Sequence, residues 1–224
     1  MKVDLKNKIA LVTASSKGIG LSVARRLFEA GAKVGICARH REGVKQAAQM
    51  IGKEDASRLF TLVGDIGDRR FLETLVKKTT DHFGDSIDIL INNNGGPPSG
   101  ETLGFSEKDW HGAIERNLMS VVRLCSLVVP DMKKKHWGRI VNLTSTTAKE
   151  PDSGMVLSNV TRSAVAAYGK TLARDVGSFG ITVNTVLTGA CLTDRLRSLI
   201  EKSLPGREAC RGCTPPSTLF TAFS

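Results

Sequence analysis

The stretch Ile9–Gly20, IALVTASSKGIG, decides the fold of this chain. An apolar run breaks into small residues and then into the Gly-x-Gly turn Gly18–Gly20. Leu21–Ala30 follows with helical apolar spacing at Val23, Leu27 and Ala30. A strand, a tight small-residue loop and a helix start, in that order, make a phosphate cradle. The first N–H groups of a helix have no partner inside the helix, and the helix dipole favours an anion beside them. Glycine lets the backbone approach a phosphate with no Cβ in the way. The cradle predicts a nucleotide site near the start of the chain and leaves open what chemistry is done there.

The pattern continues outward from that loop. Short apolar runs at Lys33–Ala38, Arg58–Gly64, Ile87–Asn92, Gly138–Leu143 and Ile181–Leu187 read as strands. Amphipathic segments at Glu42–Ile51, Arg69–Phe83, Ser106–Met132 and Leu157–Val176 read as helices between them. Ser106 followed three residues later by Asp109 reads as a capping box with Asp in place of Glu or Gln. Strands alternating with helices predict βαβ units and a parallel sheet covered on both faces. In such sheets ligands bind beyond the carboxyl ends of the strands. Small or polar residues stand at every one of those ends: Thr13–Lys17, Arg39, Asp65, Asn92–Gly96, Thr144–Ser145 and Thr188–Gly189.

Composition bounds the function. A chain of 224 residues, 41% of them hydrophobic, suits one domain with a sizeable core. The net charge of +10 comes from scattered residues, and the dense run Lys133–His136 reads as a solvated helix end. Aromatic residues are only 5%, which argues against a nucleic-acid face. The positive potential suits capture of an anionic cofactor or an acidic partner. Cys37, Cys125 and Cys191 sit in apolar surroundings and the cysteine count of five is odd, so reduced thiols are expected. Cys210 and Cys213 form a CxxC without the further ligands that zinc requires, and no metal site is expected. Met1–Lys8 is polar and too short for a signal sequence. No apolar run reaches membrane-spanning length. A cytoplasmic protein that binds neither membrane nor nucleic acid is expected.

On these residues the chain resembles the short-chain dehydrogenase/reductase family, from about Lys6 to about Arg197, and the runs Asn92–Gly100, NNNGGPPSG, and Lys149-Glu150-Pro151 resemble its oxoacyl-(acyl carrier protein) reductase-like members. The family pattern Thr-Gly-x-x-x-Gly-x-Gly is matched by Thr13-Ala14-Ser15-Ser16-Lys17-Gly18-Ile19-Gly20, with Ala14 in place of the first Gly. Asp65, before Ile66, matches the aspartate that contacts adenine. Asn92-Asn93-Asn94-Gly95 resembles Asn-Asn-Ala-Gly, which steadies the sheet beside the cofactor. Asn117 matches the helix asparagine of the catalytic tetrad, and Gly138–Ser145 matches the strand that delivers its serine, Ser145. Asn184–Gly189 resembles Asn-x-Val-x-Pro-Gly, with Thr188 in place of Pro. The resemblance implies a Rossmann-type doubly wound sheet and a nicotinamide cofactor held by Thr13, Ser15, Ser16, Lys17, Gly18, Ile19, Gly20, Arg39, Asp65, Ile66, Asn92, Gly95 and Arg162.

Cofactor choice has a physical argument of its own. An acid at the end of the second strand binds a ribose 2′-hydroxyl and repels a 2′-phosphate. That strand ends Ile36-Cys37-Ala38-Arg39, and Arg39 offers a bidentate phosphate fork with Lys17 as a second positive charge. NADP(H) is expected over NAD(H).

The catalytic helix departs from the family. A Tyr-x-x-x-Lys usually stands thirteen residues beyond the serine, where the tyrosine donates a proton to the carbonyl oxygen. This chain has Ser158-x-x-x-Arg162 at that register. A spacing of four still puts both residues on one helix face. Tyr168, the only tyrosine, is out of register and reads as a packing residue. Serine is a poor proton donor, and arginine stays protonated. Three readings follow: conjugate reduction of an enone with water supplying the proton, carbonyl reduction with a displaced acid (Lys149, His136 or His111), or a non-catalytic nucleotide-binding protein. The substrate is expected to be a small molecule, carrier-bound substrates included.

After Ile181–Leu187 the resemblance implies a helix pair and a seventh strand. Leu192–Leu204 has helical character, and Pro205–Ser224 has no periodicity. The expectation is a Rossmann domain over residues 1–204 with six strands, the seventh missing, and an irregular tail over 205–224 from a truncated or frameshifted gene end. The segments Ser106–Met132 and Leu157–Val176 remain available to form a homodimer.

Overall fold

The computed structural model describes residues 3–52, 55–194, 196 and 197. Six strands form one parallel sheet: β1 (Ile9–Val12), β2 (Lys33–Ala38), β3 (Leu59–Val63), β4 (Ile89–Asn92), β5 (Gly138–Ser145) and β6 (Ile181–Thr188). Their order across the sheet is β3-β2-β1-β4-β5-β6. The chain walks from β1 outward to β3, then returns to place β4 on the other side of β1. The strand order therefore reverses between β1 and β4, the place beyond whose carboxyl ends such sheets bind ligands.

Six helices connect the strands: α1 (Gly18–Glu29), α2 (Arg41–Ile51), α3 (Arg69–Phe83), α4 (Glu107–Ile114), α5 (Ser120–Lys135) and α6 (Val156–Val176). Side chains alternate across a strand, so one strand feeds two cores. Ala10 and Val12 of β1 pack with Ala24 and Phe28 of α1 and with Ala47 and Ile51 of α2. Ile9 and Leu11 pack on the opposite face with Leu72 and Leu75 of α3, Leu124 and Val128 of α5 and Val165 of α6. The doubly wound architecture expected from the sequence is present, with six strands among the described residues.

Two expectations change in detail. The segment Ser106–Met132 is not one regular helix. It begins at the expected capping box, where Asp109 N–H donates to Ser106 Oγ and Ser106 N–H donates to the Asp109 carboxylate. It is then broken by a π turn at Glu115–Met119 before α5. Two outside groups take up carbonyls of that turn. Ser120 Oγ–H donates to Arg116 O at 2.6 Å. The Asn94 amide donates to Arg116 O and Asn117 O, both at 3.2 Å. The third strand is also shorter than expected, because Ala56–Arg58 forms a 3₁₀ turn capped by the Asp55 carboxylate.

The chain divides into two compact units, Met1–Gly189 and Ala190–Ser224. Of the second, only residues 190–194, 196 and 197 are described, so the expected tail at 205–224 and the Cys210–Cys213 pair lie outside the described residues. Among the described residues Cys37, Cys125 and Cys191 are free thiols, no metal-binding cluster occurs, and no helix is long and apolar enough to cross a membrane.

Leu90 tests how much the sheet depends on its central packing. It is fully buried in β4, beside Leu11 of β1 and Ile140 of β5. Leu90→Ala is expected to lower unfolding free energy by about 2–5 kcal/mol, measured by urea denaturation.

Candidate active site

The loop after β1 is stapled to β4 by one side chain. Asn93 Nδ2 donates to Thr13 O at 3.2 Å and to Ala14 O at 2.9 Å. Thr13 Oγ1 completes the joint, donating to Asn93 O at 2.6 Å and accepting Asn93 N–H at 2.9 Å. Gly20 is required by this packing: a Cβ there would stand 2.5 Å from Asn93 Nδ2 and 2.7 Å from Ala14 O. Ala14 adopts φ +46 and Gly18 φ +58. Glycine is at ease in that left-handed region, whereas Ala14 is strained by about 1–2 kcal/mol.

The loop leaves the α1 N-terminus chemically open. No side chain caps it at Lys17, and its first turn carries no acid. Of the expected ligands in the loop, Lys17 is exposed and Ser16 half-buried, close to Gly43 of α2. Ser15 turns inward: its hydroxyl donates to Val12 O at 2.8 Å and its N–H to Cys37 O at 3.0 Å. It shapes the loop, with both its N–H and its O–H spent on backbone carbonyls. At the end of β2, Arg39 is exposed, with no ion-pair partner among the described residues.

Asp65 lies in the connection from β3 to α3. Its carboxylate accepts Gly67 N–H at 2.9 Å and lies 3.3 Å from Arg116 Nε. Asp65, Gly67, Asp68, Gly112, Glu115 and Arg116 line a hollow of about 230 Å³. Ile66 is buried in the core. Asn92 is also turned inward, donating from Nδ2 to Asn142 Oδ1 at 2.8 Å. Gly95 is exposed, with open space where a Cβ would be.

The residues expected at the catalytic positions are Asn117 in the π turn, Ser145 at the end of β5, and Ser158 and Arg162 on α6. Asn117 is 1% exposed within the π turn, and its Oδ1 has no partner. Ser145 ends β5, and its Oγ accepts Thr147 N–H at 3.2 Å, which leaves its own proton to donate. Ser158 and Arg162 sit one turn apart on α6, both buried. No hydrogen bond holds the Ser158 hydroxyl among the described residues. Arg162 donates from Nη1 to Asn94 Oδ1 and to Leu143 O, the latter at 3.1 Å, and from Nη2 to Asn94 O at 3.5 Å. Its Nε has no partner. Burial pulls the guanidinium down to about 10, so it remains a cation at neutral pH.

The displaced-acid candidates are scattered. His136 closes α5 just before β5 begins, at the amino end of the sheet, and stacks on Phe179. His111 lies 3.4 Å from Glu107 on exposed α4. Lys149 is exposed beside the turn after β5. Tyr168 packs against the main core, and burial raises its phenol, with Cys125 also raising it. Asn93 and Asn94, quoted in the Asn92–Gly95 motif but given no individual role there, make the hydrogen bonds to the glycine loop and to Arg162. Their signal was the Asn92–Asn94 run itself, in which three identical side chains take three different directions.

A glycine loop on an open helix N-terminus, at the point where a parallel sheet reverses its order, defines a dinucleotide-binding domain. The family model for short chain dehydrogenase matches residues 8–204, and the chain belongs to that family. It is 34% identical over 197 residues to 3-oxoacyl-(acyl-carrier-protein) reductase FabG of Vibrio cholerae, covering 88% of this chain and 79% of that protein. It is 33% identical over 204 residues to FabG of Escherichia coli, covering 91% and 82%. Among solved structures it is similar to L-sorbose reductase of Gluconobacter frateurii complexed with NADPH and L-sorbose, with TM-score 0.85 and 28% identity over 91% of this chain and 77% of that one. It is also similar to an actinorhodin polyketide ketoreductase with NADPH, with TM-score 0.82 and 31% identity over 87% and 75%. An NAD(P)-dependent oxidoreductase follows from this family.

Two substitutions test the loop. Ala14→Gly relieves the left-handed strain and is expected to raise stability by roughly 0.5–1 kcal/mol. Asn93→Ala removes the staple and is expected to lower it by about 1–3 kcal/mol. Thermal denaturation of the two variants beside the parent protein reads both.

Proposed function

We propose that this protein is an NADP(H)-dependent reductase of a carbonyl or enone. The observation that carries the cofactor choice is Arg39, an exposed guanidinium at the end of β2 where an acid would reject a 2′-phosphate. Two structural neighbours hold NADPH, which supports the same choice.

The residues present fit such a cofactor. The uncapped α1 N-terminus suits the pyrophosphate. Arg39 with Lys17 suits the 2′-phosphate, and the hollow beside Asp65 suits the adenine. NADPH, when bound, supplies hydride. Ser145 holds a hydroxyl proton to donate to a substrate oxygen, and Arg162, fixed by Asn94, supplies a positive charge. Ser158 is buried and contributes no proton of useful acidity. A product oxygen then takes its proton from water, which suits an enone better than a simple ketone.

The FabG relatives are named for oxoacyl groups borne on a carrier protein, so carrier-bound substrates fall within the proposal. We place the protein in the cytoplasm, in keeping with its free thiols. We assign a homodimer built through α4–α5 and α6.

Fluorescence titration tests the cofactor. NADPH is expected to bind more tightly than NADH by about tenfold or more, the worth of a charge-assisted pair. Arg39→Glu is expected to abolish that preference. Absence of saturable binding of either nucleotide would overturn the proposal. NADPH that binds but is never oxidised, across panels of ketones and enones, would turn the reading to a non-catalytic nucleotide-binding protein.

A further inference from the structure

Arg162 is a cation in an unusual setting. Its residue is 6% exposed, yet no carboxylate forms an ion pair with it among the described residues. Its acceptors are all neutral: Asn94 Oδ1, Asn94 O and Leu143 O. A guanidinium has five N–H donors. The Nε–H is buried without an acceptor, and Nη2 makes one long bond, to Asn94 O at 3.5 Å. A buried charge normally comes paired, because dehydration without a counter-charge is costly. Here the fold holds the cation with dipoles alone and leaves the Nε–H unused.

Asn94 fixes that arrangement from behind. Its amide oxygen and its backbone carbonyl both receive Arg162. Its Nδ2 is simultaneously anchored on Arg116 O and Asn117 O of the π turn. One side chain therefore ties α6, the loop after β4 and the π turn together, and it orients the guanidinium without neutralising it.

We propose that Arg162 is an oxyanion-binding group and that Asn94 is its positioning residue. The proposal rests on the reductase reading above and names the kind of substrate state the site prefers. Transfer of hydride from reduced nicotinamide would break its C–H bond and leave it oxidised, while a C–H bond forms at a carbonyl carbon or at the far carbon of an enone. The C=O π pair moves onto oxygen, directly or through the conjugated C=C. The resulting alkoxide or enolate carries a full negative charge, and the guanidinium meets it without giving up a proton. Water then protonates the product. Such a site favours acceptors whose reduced form is a stabilised anion, and enones above simple ketones.

The probe is p-nitrophenol, whose phenolate mimics an enolate oxygen and absorbs in the visible, so the bound protonation state is read directly without turnover. With NADP⁺ present, the protein is expected to bind it as the phenolate. Asn94→Ala should keep the phenolate preference and weaken binding by roughly tenfold, as loss of hydrogen bonds to a charged group does. Asn94→Asp places a counter-charge against Arg162 and should abolish the preference, while Arg162→Met should abolish it as well. A purely structural tether would not distinguish Asp from Ala in this way. Thermal denaturation of each variant separates loss of fold from loss of the anion site. Arg162→Lys, which keeps the charge, should retain part of the preference if Arg162→Met does not fold. If NADP⁺ binds and the phenol binds as the neutral species, or does not bind, the oxyanion assignment fails and the cofactor reading stands. If NADP(H) itself does not bind, the reductase reading fails first.

Discussion

One amide holds the nucleotide end of this protein together. Asn93 Nδ2 reaches from the end of β4 to two consecutive carbonyls, Thr13 O and Ala14 O, across the line where the sheet order reverses. That contact sets where the chain leaves β1, and hence where α1 begins and which way its unpaired N–H groups face. It explains why residue 20 has no side chain, since a Cβ would strike the same nitrogen. It also explains how Ala14 persists at φ +46, because strained backbone survives where surrounding contacts over-determine it.

The two ends of the site use positive charge in opposite ways. Arg39 is exposed to water, where salt weakens its attraction for any anion. Arg162 is dehydrated in advance and pinned by dipoles, so its field is scarcely screened. The first arrangement suits selection among ligands in solution. The second suits stabilisation of charge that appears only after binding.

Sequence periodicity carried most of the architecture. β1 and the α1 glycine turn were legible because strand, loop and helix each leave a local signature, and Asp109 was legible as a capping partner because its bond to Ser106 spans three residues. What escaped was any role set by direction rather than by type. Asn92, Asn93 and Asn94 are indistinguishable in composition, but one turns to Asn142 within the sheet, one to the glycine loop, and one to Arg162. Ser15 belongs to the expected loop and still spends its hydroxyl on Val12 O. The three asparagine outcomes depend on contacts between residues 50, 80 and 68 apart, which no local pattern encodes.

The π turn at Glu115–Met119 has a consequence for comparing this chain with others. A π turn adds a residue to a helix whose steps are about 100° each. The stripes of α4 and α5 are therefore out of phase by about one such step. An alignment that treats Glu107–Lys135 as one uninterrupted helix will match one half and slip by one position in the other. Asn117 lies inside the slipping region. Where relatives lack or shift the turn, counting residues will assign the wrong neighbour to its place, and only superposition of the backbones will recover it.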